Sequence, residues 1–180
     1  FVYIDQPRHL RRTFRNYLKY SSDREELTMI IETKAFGQVE ITDDKIITFP
    51  GGIIGFPDMK RFTLLHDEEK GVSAGIRWLQ SLEEPGFAMT VIDPLMVKED
   101  YNPEIDDELL TGIGEVTSDN LLVLVTVRVP SDLKQMSVNL QGPIIINVDE
   151  RKACQIIVDT DSYPVRFPIY EILQSRKAGD

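Results

Sequence analysis

From Met29 onward, apolar and polar positions alternate in short runs separated by turn residues, a pattern of strands rather than helices. Phe36-Gly37-Gln38-Val39-Glu40-Ile41 has the period of two expected of a half-buried strand, and Thr42-Asp43-Asp44 follows as a turn cluster. Further strands are predicted at Met29–Thr33, Lys45–Phe49, Phe62–His66, Ile76–Ser81, Phe87–Asp93, Leu121–Val129, Met136–Leu140, Ile144–Val148 and Ala153–Asp159. Leu121-Leu122-Val123-Leu124-Val125 is apolar without a break, which predicts a central strand covered on both faces. The short connections favour antiparallel pairing. The expected fold is therefore all-β: a single antiparallel domain over 29–180, a barrel or a sandwich, with one or two short helices.

Two segments depart from strand patterning. Asp106-Asp107-Glu108-Leu109-Leu110 predicts one or two helical turns, with Asp106 as the N-cap and Gly112 as the stop. Pro168–Lys177 predicts a second short helix, beginning at its proline and ending on Arg176 and Lys177. Between strands lies Pro50-Gly51-Gly52-Ile53-Ile54-Gly55-Phe56-Pro57, whose prolines and glycines exclude a regular element. It reads as an ordered loop packing Ile53, Ile54 and Phe56.

Charge then divides the chain. Residues 1–28 hold six basic and four acidic residues, so the remainder carries −12 of a total of −10. Leu10, Phe14, Tyr17 and Leu18 give residues 1–28 a faint helical period, yet the segment reads as a non-family leader or tag-like extension preceding a start at Met29. So acidic a body repels nucleic-acid phosphates and favours a basic protein partner, while also serving solubility. The single cysteine, Cys154, excludes an intrachain disulfide and fits a reducing compartment. No apolar run approaches the ~18 residues of a membrane span.

Few residues in the chain suit catalytic chemistry. Gly51-Gly52-Ile53-Ile54-Gly55 lacks the Lys and Ser/Thr of a phosphate loop, and Phe56-Pro57 follows it instead of a helix. Cys154 and His66 are too few for a zinc site. His66 reads as an exposed strand end, and Cys154, among Ala153, Ile156 and Ile157, as a core residue rather than a thiolate. Neither a cofactor nor a metal is called for.

The remaining signal is a stretch from Glu99 to Asp119 that has eight carboxylates and neither Lys nor Arg, interleaved with Tyr101, Ile105, Leu109 and Leu110. Such a ridge steers a basic protein and then holds it through apolar anchors. A solvated excursion between strands is the alternative. Candidate contacts are Glu99, Asp100, Asp106, Asp107 and Glu108, with Tyr101 and Phe56 as anchors where exposed. Core packing is the first reading for Phe56.

Several ordered motifs resemble the FliW family. They are Met29-Ile30-Ile31-Glu32-Thr33-Lys34 with Gly37-Gln38-Val39; Ile47-Thr48-Phe49 running into the glycine-rich loop; Leu79-Gln80-Ser81; Asp93-Pro94; Asp100-Tyr101; Asn139-Leu140-Gln141-Gly142-Pro143-Ile144-Ile145-Ile146-Asn147; and Gln155-Ile156-Ile157. The resemblance implies a β-barrel-like flagellar assembly factor without enzymatic activity. It implies cytoplasmic binding of flagellin and of CsrA, the RNA-binding translational repressor of flagellin synthesis, with that repression relieved by the binding. The competing readings are a β-barrel enzyme holding a flavin or small ligand in its mouth, and an export chaperone without a regulatory role.

Overall fold

In a computed structural model, which describes residues 2–3, 28–67, 75–158 and 161–177, thirteen strands follow in chain order. They are β1 (Val2–Tyr3), β2 (Thr28–Thr33), β3 (Gly37–Thr42), β4 (Ile47–Thr48), β5 (Arg61–Leu65), β6 (Arg77–Ser81), β7 (Ala88–Ile92), β8 (Glu104–Ile105), β9 (Leu121–Arg128), β10 (Ser137–Val138), β11 (Ile144–Asn147), β12 (Lys152–Gln155) and β13 (Phe167–Pro168). One α-helix, α1 (Tyr170–Lys177), and several 3₁₀ turns complete the described residues. The all-β expectation holds.

Strands β9, β11, β12, β4, β5, β6 and β7 hydrogen-bond in that order, and β7 returns to β9, closing a ring. Closure leaves the ring strands few exposed edges. Each pairing is antiparallel except the contact of β12 with β4, which is parallel and made at Lys152↔Thr48 alone. Antiparallel pairing is thus broken at one seam, where the chain crosses from the first hairpins to the last. Beyond β9, strands β10 and β13 extend the sheet, and Pro168 sits in the outermost one. A proline there has no N–H to offer a further strand, so it belongs to the edge rather than to the helix start predicted for it. The helix begins two residues later.

The ring has two apolar layers. Its interior is filled by Phe49, Phe62, Leu64, Leu79, Leu124, Ile144 and Ile146, with Phe49 edge-on to Phe62 at 5.0 Å. Its outer face at β9 and β11 presents Val123, Val125 and Ile145 to a second layer. That layer comes from the segment 92–113 and from Val138, Leu140, Ile156 and Ile169. Strand β9 is therefore covered on both sides, as its unbroken apolar run requires. A satellite cluster of Ile31, Ile41 and Leu82 anchors the separate β2–β3 hairpin.

Of the segment expected to stand apart as a leader, Val2–Tyr3 pairs antiparallel with Glu104–Ile105. Residues 1 and 4–27, including the faint helical period, lie outside the described residues.

Candidate partner-docking site

The acidic segment is held by three devices on the ring's outer layer. From Tyr101 to Asp106, buried and exposed residues alternate: Tyr101, Pro103 and Ile105 face inward, while Asn102, Glu104 and Asp106 face solvent. A 3₁₀ helix follows over Asp107–Ile113, with Asp106 as its N-cap accepting the Glu108 N–H at 3.0 Å. The helix runs past Gly112, and the chain turns at Gly114, whose φ is +86°. The third device is Asn147, fully buried at the end of β11. Its amide donates to the Ile113 and Glu115 carbonyls, each at 3.0 Å, and its oxygen accepts the Asp149 and Glu150 N–H groups. The C-terminal end of the helix is thereby tied to the barrel on both sides of Gly114. Asn120 adds a second link by donating to Glu115 at 3.0 Å.

The geometry sorts the predicted contacts. Asp106, Asp107 and Glu108 form one exposed acidic edge. Glu99 and Asp100 are exposed but carry cations from the same molecule: Glu99 faces Arg176 at 3.5 Å, and Asp100 binds Lys98 at 2.6 Å. The Lys98 hydrogen bond holds the Asp100 carboxyl below its ordinary range.

Tyr101 is not a surface anchor. It is 1% exposed, its ring meets Tyr163 edge-on at 4.8 Å, and its hydroxyl donates to the Leu140 carbonyl at 2.7 Å. Burial pushes its ionisation upward, so it stays a neutral donor. Phe56 departs the other way: it is 45% exposed instead of packed in the core, with its ring 5.0 Å from Phe87. In the same loop Ile53 is buried but Ile54 is 50% exposed. The cause is a tight turn in which Ile53 and Phe56 exchange backbone hydrogen bonds, swinging Ile54 and Gly55 to the tip. Gly52 (φ +71°) packs so closely that a Cβ there would lie 2.4 Å from the Pro57 oxygen.

Sequence reasoning missed a cleft of about 490 Å³ between this loop, the 3₁₀ helix and β12. Ile54, Leu109 and Cys154 line it, and Leu109 is 53% exposed. Cys154 is half-buried and packs against the outer apolar layer; its thiol donates to the Leu109 carbonyl at 3.8 Å, and burial pushes its pKa up to about 11. It is a weak nucleophile at neutral pH. The signal for the cleft was an i, i+3 row. In a 3₁₀ helix residues three apart eclipse, so Leu109 and Gly112 share the cleft-facing side, Ile113 closes the cleft floor from its buried position, and Leu110 points inward.

The protein-family comparison matches the FliW protein model over residues 29–169. A "Flagellar assembly factor FliW" of Lachnoclostridium phytofermentans is 47% identical over 148 residues, covering 82% of this chain and 95% of that relative. One from Lachnospira eligens is 45% identical over 150 residues, covering 83% and 99%. A crystal structure of the flagellar assembly factor FliW superposes with a TM-score of 0.72 at 29% identity, covering 78% of this chain and 96% of that one. With a family model spanning most of its length and relatives this similar, the chain belongs to the FliW family.

Proposed function

We propose that this chain is a non-enzymatic flagellar assembly factor acting in the cytoplasm. It binds flagellin before export and binds the RNA-binding repressor CsrA, relieving repression of flagellin synthesis. Family membership across residues 29–169 carries this reading. The exposed Asp106-Asp107-Glu108 edge supports it, because a basic RNA-binding protein is steered toward such a surface and nucleic acid away from it. The regulation needs no chemistry by the chain itself. If each partner lowers the amount of this protein available to the other, free flagellin restores repression by linkage alone.

Affinity capture from the native cytoplasm, paired with a reporter under a flagellin leader, tests the reading. Flagellin and CsrA are expected among the captured proteins, and CsrA repression of the reporter is expected to fall when this protein is supplied. Capture of neither partner overturns the proposal. Capture of flagellin with no effect on the reporter leaves an export chaperone instead.

A further inference from the structure

We propose that the cleft between the glycine-rich loop and the 3₁₀ helix is the seat for one large apolar side chain of a basic partner protein, carried on a segment with Lys or Arg beside it. This rests on the partner reading above and adds where and how the partner docks.

Three observations converge. First, the cleft has apolar walls that the fold leaves open to solvent. Ile54 and Leu109 flank it, each about half exposed, and Cys154 lies between them as a neutral thiol. Isolated exposed aliphatics are ordinary, but two of them facing across a cleft offer a partner side chain a place to shed water. Second, glycines make the room. Gly51 and Gly112 line the cleft, and a Cβ built on either meets nothing within 4 Å. Neither has a positive φ, so their lack of a side chain leaves space without being required by backbone strain. Third, the helix that lines the cleft begins with exposed carboxylates. Asp106, Asp107 and Glu108 directly precede Leu109 in the chain, and no Lys or Arg occurs from Glu99 to Asp119. On β12 the cation nearest in sequence to Cys154, Lys152, is paired with Glu150 at 3.3 Å. An apolar seat whose wall residue Leu109 follows three exposed carboxylates in the chain suits an apolar residue next to a cation, and disfavours an acidic segment or a nucleic acid.

The glycines make the assignment testable without cutting into the core. Gly112→Leu and Gly51→Leu fill the cleft from its walls, Gly112→Ala barely intrudes, and Thr111→Leu adds the same bulk on the neighbouring, solvent-facing row. Titrated against CsrA by calorimetry, the two cleft-filling variants are expected to lose at least tenfold in affinity. Gly112→Ala and Thr111→Leu are expected to stay within about twofold of the parent. Cys154, the chain's one cysteine, gives a second readout on the unmodified protein. Saturating CsrA is expected to slow its alkylation by iodoacetamide at least tenfold, read by mass spectrometry. Parent-like affinity in both cleft-filling variants, or unchanged alkylation under saturating CsrA, overturns the cleft assignment while leaving the partner reading intact. Protection by flagellin but not by CsrA overturns the assignment to a basic partner. Failure of the parent protein to bind CsrA at all removes the partner reading, and the cleft assignment with it.

Discussion

At the scale of single residues, the side chains that matter most here are those holding buried polar positions. Tyr101 is buried and donates to the Leu140 carbonyl. Tyr101→Phe removes that donor and strands a buried acceptor, which costs about 1–3 kcal/mol. The expected outcome is a lower urea midpoint with unchanged partner affinity; a parent-like midpoint with weakened binding would restore the surface-anchor reading. Gly52 presents the opposite constraint. It sits at φ +71° with Pro57 backbone where a Cβ would go. Gly52→Ala therefore combines a left-handed backbone penalty of about 1 kcal/mol with a backbone clash. A loss above about 2 kcal/mol in chemical denaturation is expected, and a neutral effect would show that the loop relaxes freely. Tyr101 was also misplaced for a reason visible in the sequence. The alternation Tyr101/Pro103/Ile105 against Asn102/Glu104/Asp106 is a half-buried strand pattern that the acidic composition masks. Phe56 was not recoverable in this way. Its exposure depends on the Ile53–Phe56 turn and on Phe87, thirty-one residues along the chain.

At the scale of elements, local pattern was legible and long-range closure was not. The β9 run announced burial on both faces because no polar residue interrupts it, and the Asp106 cap was readable because an aspartate precedes an acidic first turn. The parallel β12–β4 seam, the edge strand at Pro168 and the clamp at Asn147 join residues far apart in sequence. A local pattern carries no record of them. One such clamp gives a pH-dependent prediction. Glu83 accepts the Lys60 and Arg61 N–H groups and binds the Arg61 side chain at 2.8 Å. Partial burial acts to raise its pKa, but the Arg61 hydrogen bonds outweigh it and hold the carboxyl below the usual 4.5. A lowered folded-state pKa stabilises the protein above the unfolded value, and that contribution disappears as pH falls through the lowered one. Because Glu83 is exposed, the effect is modest. Glu83→Gln should flatten the loss of thermal stability between about pH 5 and pH 3 relative to the parent. An unchanged slope would show that the clamp is screened away.

At the scale of the whole molecule, the structure turns a net charge into a directed surface. The interior of the ring is filled by large side chains, so the proposed docking is assigned to the outside, where the 107–113 helix and the glycine-rich loop meet. The sequence located the acidic stretch but treated its carboxylates as equivalent. Their partners separate them, since Glu99 and Asp100 face Arg176 and Lys98, whereas Asp106 also caps a helix. A clean test must remove charge without removing the cap, which asparagine preserves. The most direct measurement is calorimetric titration of CsrA into the parent and into the variant Asp106→Asn, Asp107→Lys, Glu108→Lys, each at low and at moderate salt. The parent is predicted to bind and to weaken as salt rises. The variant is predicted to melt within a few degrees of the parent, to bind at least tenfold more weakly at low salt, and to lose most of the salt dependence. Equal affinities with equal salt dependence, in a variant that melts like the parent, would contradict docking on the acidic edge.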